Sequence, residues 1–320
     1  MCPAMKILEH CARCGKCLPF CPSFRATLKE TLSPRGRVAL IQRGLLEPYP
    51  FSTCLLCGAC EEVCPNHLPL LEFFIKARAK SSDLLRPIYP LFFKGINWAT
   101  KEPPRESEIL LFLGCGAKFL YSKELSHFLH LFRSFVGELS LLAGVCCGLP
   151  YLAAGDLKNF VKEARRVLNF LTEKKTLLTL CSSCLYTFRK FYPAFLNIER
   201  PLSEQILSFE DAIAYLLRSG ANLSFPQKVF FQVPCHLRHL KEKPWWREKD
   251  LAYYEGCCGQ AGTFGWRYPK EALSIAKPLQ KAIFSSGASI LTSNCSSCLL
   301  YLKKTFPQLE IRHIASFLRF

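Results

Sequence analysis

The chain is organised around EGCCGQAG (residues 255–262) and SNCSSCLLYL (residues 293–302). Two similar sequences occur earlier, AGVCCGLP (143–150) and TLCSSCLYTF (179–188). In each copy a cysteine pair followed by glycine precedes a Cys-x-x-Cys motif. A chance origin for this double occurrence is implausible, and we therefore interpret the region as an internal duplication.

Each copy of the duplication contains five cysteines. The cysteine pair and the Cys-x-x-Cys motif supply four of them, and the fifth ends the first apolar segment of the copy. The first set consists of Cys115, Cys146, Cys147, Cys181 and Cys184. The second set consists of Cys235, Cys257, Cys258, Cys295 and Cys298. The sequence shows no secretory signal, so thiols at this density indicate metal or redox chemistry rather than disulfides. These ten cysteines are the candidate catalytic residues.

Apolar segments of strand length precede the cysteines in the same order in both copies. They are EILLFLGC (108–115), ELSLLAGVCCG (138–148) and TLLTLCSSC (176–184), then KVFFQVPC (228–235), LAYYEGCCG (251–259) and ASILTSNCSSC (288–298). Residues with helical spacing lie between the second and third segments, from Phe160 to Leu171 in the first copy. We predict two parallel α/β lobes whose cysteines lie at the carboxyl ends of the strands, where open sheets hold their ligands.

The second copy differs from the first in two respects. Pro278 predicts a kink in its helix, because an internal proline cannot donate the helical hydrogen bond. The interval from Cys235 to Cys257 is shorter than that from Cys115 to Cys146, which predicts the loss of a helix or loop.

The N-terminal segment carries a different cysteine pattern, CARCGKCLPFCPSF (11–24) and CLLCGACEEVCP (54–65). Both fit C-x2-C-x2-C-x3-C-P, the run that holds two [4Fe–4S] clusters in ferredoxins and whose fourth cysteine ligates the other cluster. The pattern predicts one cluster on Cys11, Cys14, Cys17 and Cys64. It predicts a second cluster on Cys54, Cys57, Cys60 and Cys21. The apolar spacing between the runs favours short helices over a hairpin.

Zinc is the alternative metal, because paired Cys-x-x-Cys motifs also hold structural zinc. In the N-terminal runs it explains two cysteine pairs but not a third and fourth cysteine at fixed offsets, which favours iron–sulfur clusters there. For Cys181 and Cys184 with the neighbouring cysteine pair, the zinc alternative stays open.

The chain has a formal net charge of +17, but its basic residues are scattered rather than interleaved with aromatic residues in one stripe. We therefore expect no nucleic acid and favour an acidic partner subunit or an anionic membrane face. No apolar stretch reaches the roughly 18 residues of a transmembrane segment. A G-x-G-x-x-G motif between a strand and a helix and a Ser/His/Asp arrangement are also missing, so we expect no flavin in this chain and no hydrolase activity.

These patterns divide the chain into four parts. We predict a two-[4Fe–4S] ferredoxin-type domain at residues 1–75, a Pro-rich linker at 76–105, a first cysteine-rich domain at 106–222 and a second at 223–320. The predicted fold class is therefore multidomain, with an α-helical two-cluster ferredoxin followed by two α/β lobes with parallel sheets.

The cysteine patterns resemble the cysteine-rich CCG domain of heterodisulfide reductase catalytic subunits and of iron–sulfur subunits in glycolate and lactate oxidising systems. With SPRGRVALIQ (33–42), the two N-terminal runs look most like the glycolate oxidase iron–sulfur subunit family, in which a two-cluster ferredoxin precedes two CCG domains. The resemblance covers nearly the whole chain. It implies two [4Fe–4S] cubanes and one or two further iron–sulfur clusters in the CCG domains, which in heterodisulfide reductases are noncubane.

The resemblance also implies an oxidoreductase subunit that is active only with partner subunits. Our leading hypothesis is transfer of electrons from a flavoprotein that oxidises glycolate or lactate, through the clusters, to an acceptor such as quinone. The alternatives are reduction of a disulfide or sulfur compound at a noncubane cluster, and a non-catalytic adaptor. We expect the chain in the cytoplasm, either free or peripheral on the inner face of the cell membrane.

Some residues outside the cysteine motifs are weaker candidates. His236 and His239 are candidate proton donors or ligands, although packing explains a histidine at a strand end equally well. Arg35 and Arg37 are candidate hydrogen-bond donors to a cluster or a partner. Cleft-lining positions are expected for Thr263, Arg267 and Tyr268, which follow the second Cys-Cys-Gly, and Cys2 belongs to no motif.

Overall fold

The computed structural model describes residues 3–81, 107–117, 121–171, 174–198, 202–226, 228–240, 245–249 and 251–319. Cys2 and most of the predicted linker at 76–105 lie outside the described residues. The helix Leu70–Lys80 occupies the first positions assigned to that linker. None of the described helices is both long and apolar enough to cross a bilayer.

The N-terminal module consists of short helices around the two cysteine runs. They are Pro22–Thr27, Pro34–Gln42, Pro48–Ser52, Ala59–Glu62 and Leu70–Lys80, with 3-10 segments at Pro3–His10 and Glu30–Leu32. Three of them begin with proline, whose missing N–H would have no partner in the first helical turn. Ser33 caps Pro34–Gln42 by accepting a hydrogen bond from the Gly36 N–H at 2.9 Å. The predicted short helices between the two runs are therefore confirmed.

The first lobe contains a four-stranded parallel sheet in the order β2-β1-β3-β4. Its strands are β1 Ile109–Phe112, β2 Ser140–Leu142, β3 Thr176–Thr179 and β4 Ile206–Leu207. Its helices are Ser122–Phe135, Leu149–Ala154, Leu157–Leu168, Ser182–Tyr186, Tyr192–Phe195 and Phe209–Arg218, with a π-helical segment Thr187–Phe191 and a 3-10 segment Leu202–Glu204. The sequence predicts the first three strands and misses β4, because two residues carry no periodicity.

The second lobe repeats this topology with the strand order β7-β6-β8-β9, again all parallel. Its strands are β6 Val229–Val233, β7 Ala252–Glu255, β8 Ile290–Ser293 and β9 Glu310–His313. Its helices are Cys235–His239, Phe264–Arg267, Pro269–Ser286 and Ser296–Thr305, with 3-10 segments Trp245–Glu248 and Ile314–Phe317. Because corresponding strands occupy corresponding places, the internal duplication and the α/β class are confirmed.

The two expected differences between the lobes have different outcomes. The five-residue helix Cys235–His239 stands where the first lobe has the 14-residue helix Ser122–Phe135, as the shorter interval predicts. The helix Pro269–Ser286 includes Pro278 and continues as one 18-residue segment, so the proline does not divide it.

The lobes are joined by backbone pairing and by a shared core. Strand β5 Asn222–Leu223 ends the first lobe and pairs antiparallel with β10 Leu318–Arg319, which ends the second. Within β1, Leu111 packs in one core with Phe231 of the second lobe, whereas Phe112 packs in another core with Phe74 of the N-terminal module. The alternation of side chains along one strand therefore attaches the first lobe to both neighbours.

A buried arginine connects the N-terminal module to the first lobe. Arg78 is 3% exposed and donates hydrogen bonds to the carbonyls of Phe51, Cys54 and Ala153, the last at 2.8 Å. Burial lowers the pKa of Arg78 to about 10, so the guanidinium is charged at neutral pH. A charge in the interior is tolerated because its N–H groups have carbonyl partners.

We expect Arg78→Met to lower the free energy of unfolding by about 3 kcal/mol, because the buried carbonyls lose a charged donor. Chemical denaturation followed by circular dichroism measures the change. Arg218→Met is the control, because Arg218 is exposed at the end of Phe209–Arg218, and its expected change is below about 0.5 kcal/mol. Equal losses in the two variants would contradict a connecting role for Arg78.

Candidate functional site

The four cysteines predicted to hold the first ferredoxin cluster line one cavity. Cys11, Cys14, Cys17 and Cys64 surround it, and Cys60 of the other run also reaches it. Cys14 is exposed and the other three are half-buried. Burial raises the pKa of Cys17 to about 11. The structure thus brings Cys64 of the second run to the first, as the motif predicts, although ligation itself stays a prediction.

The second predicted set lies deeper in the same module. Cys21, Cys54, Cys57 and Cys60 are all buried. Burial raises the pKa of Cys60 well above its usual range, and the charges of the other three cysteines raise it further. Gly58 between these cysteines has φ +87°, and a Cβ there would lie 2.4 Å from the Tyr186 hydroxyl. Glycine therefore permits both the turn and the close approach of the first lobe.

Arg37 is the basic residue in contact with this second set. It is 1% exposed and donates to the Pro50 carbonyl at 2.6 Å and to Ser23 Oγ at 3.1 Å, and a further N–H points at Cys21 Sγ at 3.9 Å. Arg35 is half-buried, forms an ion pair with Glu30 at 2.7 Å and lines the cavity of the first ferredoxin set. Arg37 therefore faces a predicted ligand of the second cluster, whereas Arg35 lines the cavity of the first.

The five cysteines of the first lobe converge at the carboxyl ends of its strands. Cys115 follows β1, Cys146 and Cys147 follow β2, and Cys181 precedes the helix Ser182–Tyr186 that contains Cys184. The Gly148 N–H donates to Cys146 Sγ at 3.4 Å. Burial raises the pKa of Cys115 to about 12, and the charges of Cys147 and Cys181 raise it further.

The second lobe repeats this arrangement. Cys235 begins the helix after β6, Cys257 and Cys258 follow β7, and Cys295 precedes the helix Ser296–Thr305 that contains Cys298. The Gly259 N–H donates to Cys257 Sγ at 3.3 Å, as Gly148 does to Cys146 in the first lobe. Equivalent backbone donors at equivalent sulfurs show that the duplication includes the polar environment of the cysteines.

The Cys-Ser-Ser-Cys loops of the two lobes contact each other. Ser183 Oγ lies 2.9 Å from Cys295 Sγ, and the Ser296 N–H donates to Cys181 Sγ at 3.4 Å. Hydrogen bonds from Cys184 and Cys295 lower the pKa of Cys181 well below its usual range. Each loop therefore supplies a hydrogen-bond partner to a cysteine of the other lobe, and the two cysteine sets are adjacent.

His236 extends this contact to the N-terminal module. Its Nδ1 lies 3.0 Å from Ser183 Oγ and its Nε2 lies 3.0 Å from the Leu56 carbonyl, next to Cys57. The ring stacks on Tyr186 with centroids 4.4 Å apart. Burial lowers the pKa of His236 to about 4, so the ring is neutral, donates from Nε2 to Leu56 and accepts at Nδ1. His236 is thus a packed, hydrogen-bonded residue between two cysteine sets.

The four cysteine sets form one continuous series. Cys60 of the second ferredoxin set also lines the cavity of the first. Cys57 of the second ferredoxin set lines one cavity with Cys235 and Cys257 of the second lobe. The second lobe then meets the first through Cys295. The series therefore runs from the first ferredoxin set through the second to the second lobe and then to the first lobe.

The cysteines fit iron–sulfur clusters in their chemistry and surroundings. The 18 cysteines of the described residues are free thiols, and several accept backbone N–H groups, which stabilise the charge on cluster sulfurs. Within the described ranges no three His, Cys, Asp or Glu side chains are close enough to share a single metal ion. A cluster distributes its cysteines over several irons, so convergence on one point is not required.

The remaining candidates occupy less central positions. Tyr268 donates or accepts a hydrogen bond with Ser52 at 2.7 Å and so joins the second lobe to the N-terminal module. Thr263 precedes the helix Phe264–Arg267. His239 contacts the Glu62 carboxylate and is largely buried. The contacts of Ser183 with Cys295 and His236 were not predicted, although the identical Ser-Ser pair in both Cys-x-x-Cys motifs was a signal for this residue.

Family models match most of the described chain. Residues 7–68 match a 4Fe-4S dicluster domain, and residues 109–189 and 229–303 match a cysteine-rich domain twice. The matched ranges contain the two ferredoxin runs and both cysteine sets, which agrees with the two sheets and the helical N-terminal module.

Individual relatives align over nearly the whole chain. The probable glycolate oxidase iron-sulfur subunit of Bacillus subtilis (strain 168) is 42% identical, with 92% of this chain and 88% of that protein covered. One of the subunits of fumarate reductase (CoM/CoB) from Methanothermobacter marburgensis is 24% identical over 95% of this chain and 69% of its own. One of the subunits of dihydromethanophenazine:CoB--CoM heterodisulfide reductase from Methanosarcina mazei is 21% identical, with 91% of this chain and 87% of that protein covered.

We expect Arg37→Gln to lower the reduction potential of the centre at Cys21, Cys54, Cys57 and Cys60 by on the order of 100 mV, because a buried positive charge that favours the reduced state is lost. Redox titration monitored by electron paramagnetic resonance measures the change. Arg37→Lys keeps the charge and is expected to retain most of the potential.

Arg35→Gln is the control for this centre, because Arg35 lies beside the first ferredoxin set rather than beside Cys21 and its charge is paired with Glu30. Its expected shift is below about 20 mV. If Arg35→Gln and Arg37→Gln shifted the potential equally, general surface charge rather than the buried contact with Cys21 would be responsible.

Proposed function

The chain belongs to the family of the glycolate oxidase iron–sulfur subunit, and from this premise we propose that it conducts electrons within a flavin-linked 2-hydroxyacid dehydrogenase complex. A partner flavoprotein oxidises glycolate, with lactate as the second candidate, and this chain passes the electrons to an acceptor such as quinone. The observation that supports the proposal is the unbroken series of cysteine sets across the module and both lobes.

The proposed ligand sets follow the convergence of the sulfurs. The first [4Fe–4S] cluster is assigned to Cys11, Cys14, Cys17 and Cys64, and the second to Cys21, Cys54, Cys57 and Cys60. The further clusters are assigned to Cys115, Cys146, Cys147, Cys181 and Cys184, and to Cys235, Cys257, Cys258, Cys295 and Cys298. The corresponding domains are residues 1–75, 106–222 and 223–320, with the linker between the first two.

Iron–sulfur clusters, when bound, supply one-electron transfer whose potential depends on hydrogen bonds and burial. The residues of the chain provide those conditions. Packed apolar side chains exclude water from the sulfurs, and Gly148, Gly259 and Ser296 donate backbone N–H groups to them. Arg37 places a positive charge beside Cys21. These groups would favour the more negative, reduced state of a cluster held by those sulfurs, and they accept no electrons themselves.

The first ferredoxin set is the proposed entry point for electrons. Cys14 is exposed, and the neighbouring Arg13 and Lys16 are exposed as well. A basic surface beside an accessible ligand suits an acidic docking face on the flavoprotein, since complementary charge speeds association. Scattered positive charge elsewhere on the chain suits peripheral contact with the anionic inner face of the cell membrane.

Reduction of a disulfide or sulfur compound is the second candidate function. Both lobes have five cysteines, and the two sets lie against each other through Ser183 and Cys295. Such a junction can present two adjacent centres to one sulfur substrate. The similarity to one of the heterodisulfide reductase subunits supports this alternative less strongly, since the identity is 21%.

We expect the anaerobically purified complex of this chain with its flavoprotein partner to reduce an artificial dye in the presence of glycolate, because the cysteine series connects the flavoprotein to an acceptor. Parallel assays use lactate and a thiol as electron donors. Robust thiol-dependent reduction without glycolate- or lactate-dependent reduction would reject the hydroxyacid function and favour the second candidate.

We expect the isolated chain to contain more than eight irons, because two cubanes account for about eight and the lobes bind the rest. Cys57→Ser is expected to remove about four irons, whereas Cys2→Ser, outside every motif, leaves the content unchanged. Metal analysis by plasma mass spectrometry measures iron and zinc together. A colourless protein with zinc in place of iron would refute the cluster assignment.

A further inference from the structure

A cavity of about 250 Å³ lies where the N-terminal module meets the second lobe. Three predicted cluster ligands line it, Cys57 from the module and Cys235 and Cys257 from the lobe. Cys235 and Cys257 are half-buried, whereas Cys57 is buried. A small molecule in this cavity would therefore contact the cysteines of the second lobe without any opening of the fold.

The polar side of the cavity is basic. Arg25, Arg238 and Lys277 line it, and the carboxylate among its lining residues, Glu255, forms an ion pair with Arg247 at 2.6 Å. These three cations belong to three different helices, Pro22–Thr27, Cys235–His239 and Pro269–Ser286. Their convergence on one space is a property of the tertiary fold and not of a single charged segment.

The arginines and the cysteine share one space. Arg25, Arg238, Tyr254 and Cys257 all line the cavity. A ligand held by the arginines would therefore lie in the same cavity as the Cys257 side chain.

The opposite side of the cavity is apolar. Phe20, Pro22, Ala26, Ile275 and Pro278 line it, and Phe20 is 47% exposed. A basic side and an apolar side together suit a compact molecule with an apolar body and one acidic group. An acidic group would supply a counter-charge close to the three cations, of which Arg238 also has the Glu62 carboxylate at 4.0 Å.

We propose that this cavity binds a small organic anion with a carboxylate, phosphate or sulfonate group. This anion accepts electrons from the centre assigned to the five cysteines of the second lobe. The proposal rests on the proposed electron-transfer function and specifies its acceptor as anionic rather than an uncharged quinone. In each step one electron leaves the reduced centre and enters the acceptor, and no bond to the protein forms. The electrons come from the partner flavoprotein.

Equilibrium dialysis of the oxidised, anaerobically purified full chain tests the proposal with two matched probes. Anthraquinone-2-sulfonate carries the anionic group, and 2-(hydroxymethyl)anthraquinone is its uncharged counterpart. We expect the sulfonate to bind at least about tenfold more tightly, since a charge-assisted contact contributes roughly 1.4 kcal/mol. Arg238→Gln and Lys277→Gln are each expected to weaken sulfonate binding about tenfold and to leave the uncharged probe unaffected.

Lys281→Gln is the matched control, because Lys281 is exposed one turn further along Pro269–Ser286. It is expected to leave the binding of both probes unchanged. Equal affinity for the two probes would overturn the proposal. So would a shift in the potential of the centre without loss of sulfonate affinity in Arg238→Gln, because the basic groups would then only balance cluster charge. Iron content and circular dichroism establish that each variant is folded and loaded.

The dye-reduction assay with glycolate separates this proposal from the function on which it rests. Selective sulfonate binding without glycolate- or lactate-dependent reduction would reject the hydroxyacid function and leave the anion site in place. Glycolate-dependent reduction with equal binding of the two probes would leave the function in place and reject the site.

Discussion

The contact between the two Cys-Ser-Ser-Cys loops is the constraint on which the arrangement of the cysteines depends. Ser183 can reach Cys295, and Ser296 can reach Cys181, only when the two lobes keep one relative orientation. Gly116 permits this approach, since a Cβ there would lie 2.0 Å from Ser296 Oγ. The antiparallel pair β5–β10 fixes the same orientation at the other end of the lobes. The fold thus holds two distant parts of the chain within hydrogen-bond distance at the sulfurs.

Burying many sulfurs creates an electrostatic problem, because thiolates and reduced clusters are negative and water is excluded. The chain meets it with donors fixed in the backbone at strand ends, where parallel sheets direct N–H groups toward a ligand. It adds the buried guanidinium of Arg37 beside Cys21. The formal charge of +17 is calculated with neutral thiols, so cluster formation brings the net charge of the loaded protein closer to zero. The excess of basic residues and the high cysteine content are therefore related, because the positive charges balance the negative charge of the thiolates and clusters.

Much of this could be predicted from the sequence. The spacing of the cysteines predicted the ferredoxin runs, and the repeated apolar segments predicted three strands of each sheet, because these signals are local and periodic. Strands β4 and β9 were missed, since β4 has two residues and β9 alternates charged and apolar residues at an edge. The position of the second lobe beside Cys57 could not be predicted, because it depends on contacts such as His236 with Leu56 across 180 positions.

The shortened connection in the second copy has a structural consequence that its length alone does not show. In the first lobe the helix Ser122–Phe135 fills the interval after β1, and its apolar face packs into the core shared by the lobes. In the second lobe the short helix Cys235–His239 begins at a predicted ligand and places Arg238 and His239 in the lining of the basic cavity. Two copies with the same strand order and the same pattern of cysteine burial thus differ in the helix that follows the first strand. Because strand order positions the sulfurs and the connections line the space around them, the copies can keep similar centres while only one of them contributes basic side chains to this cavity.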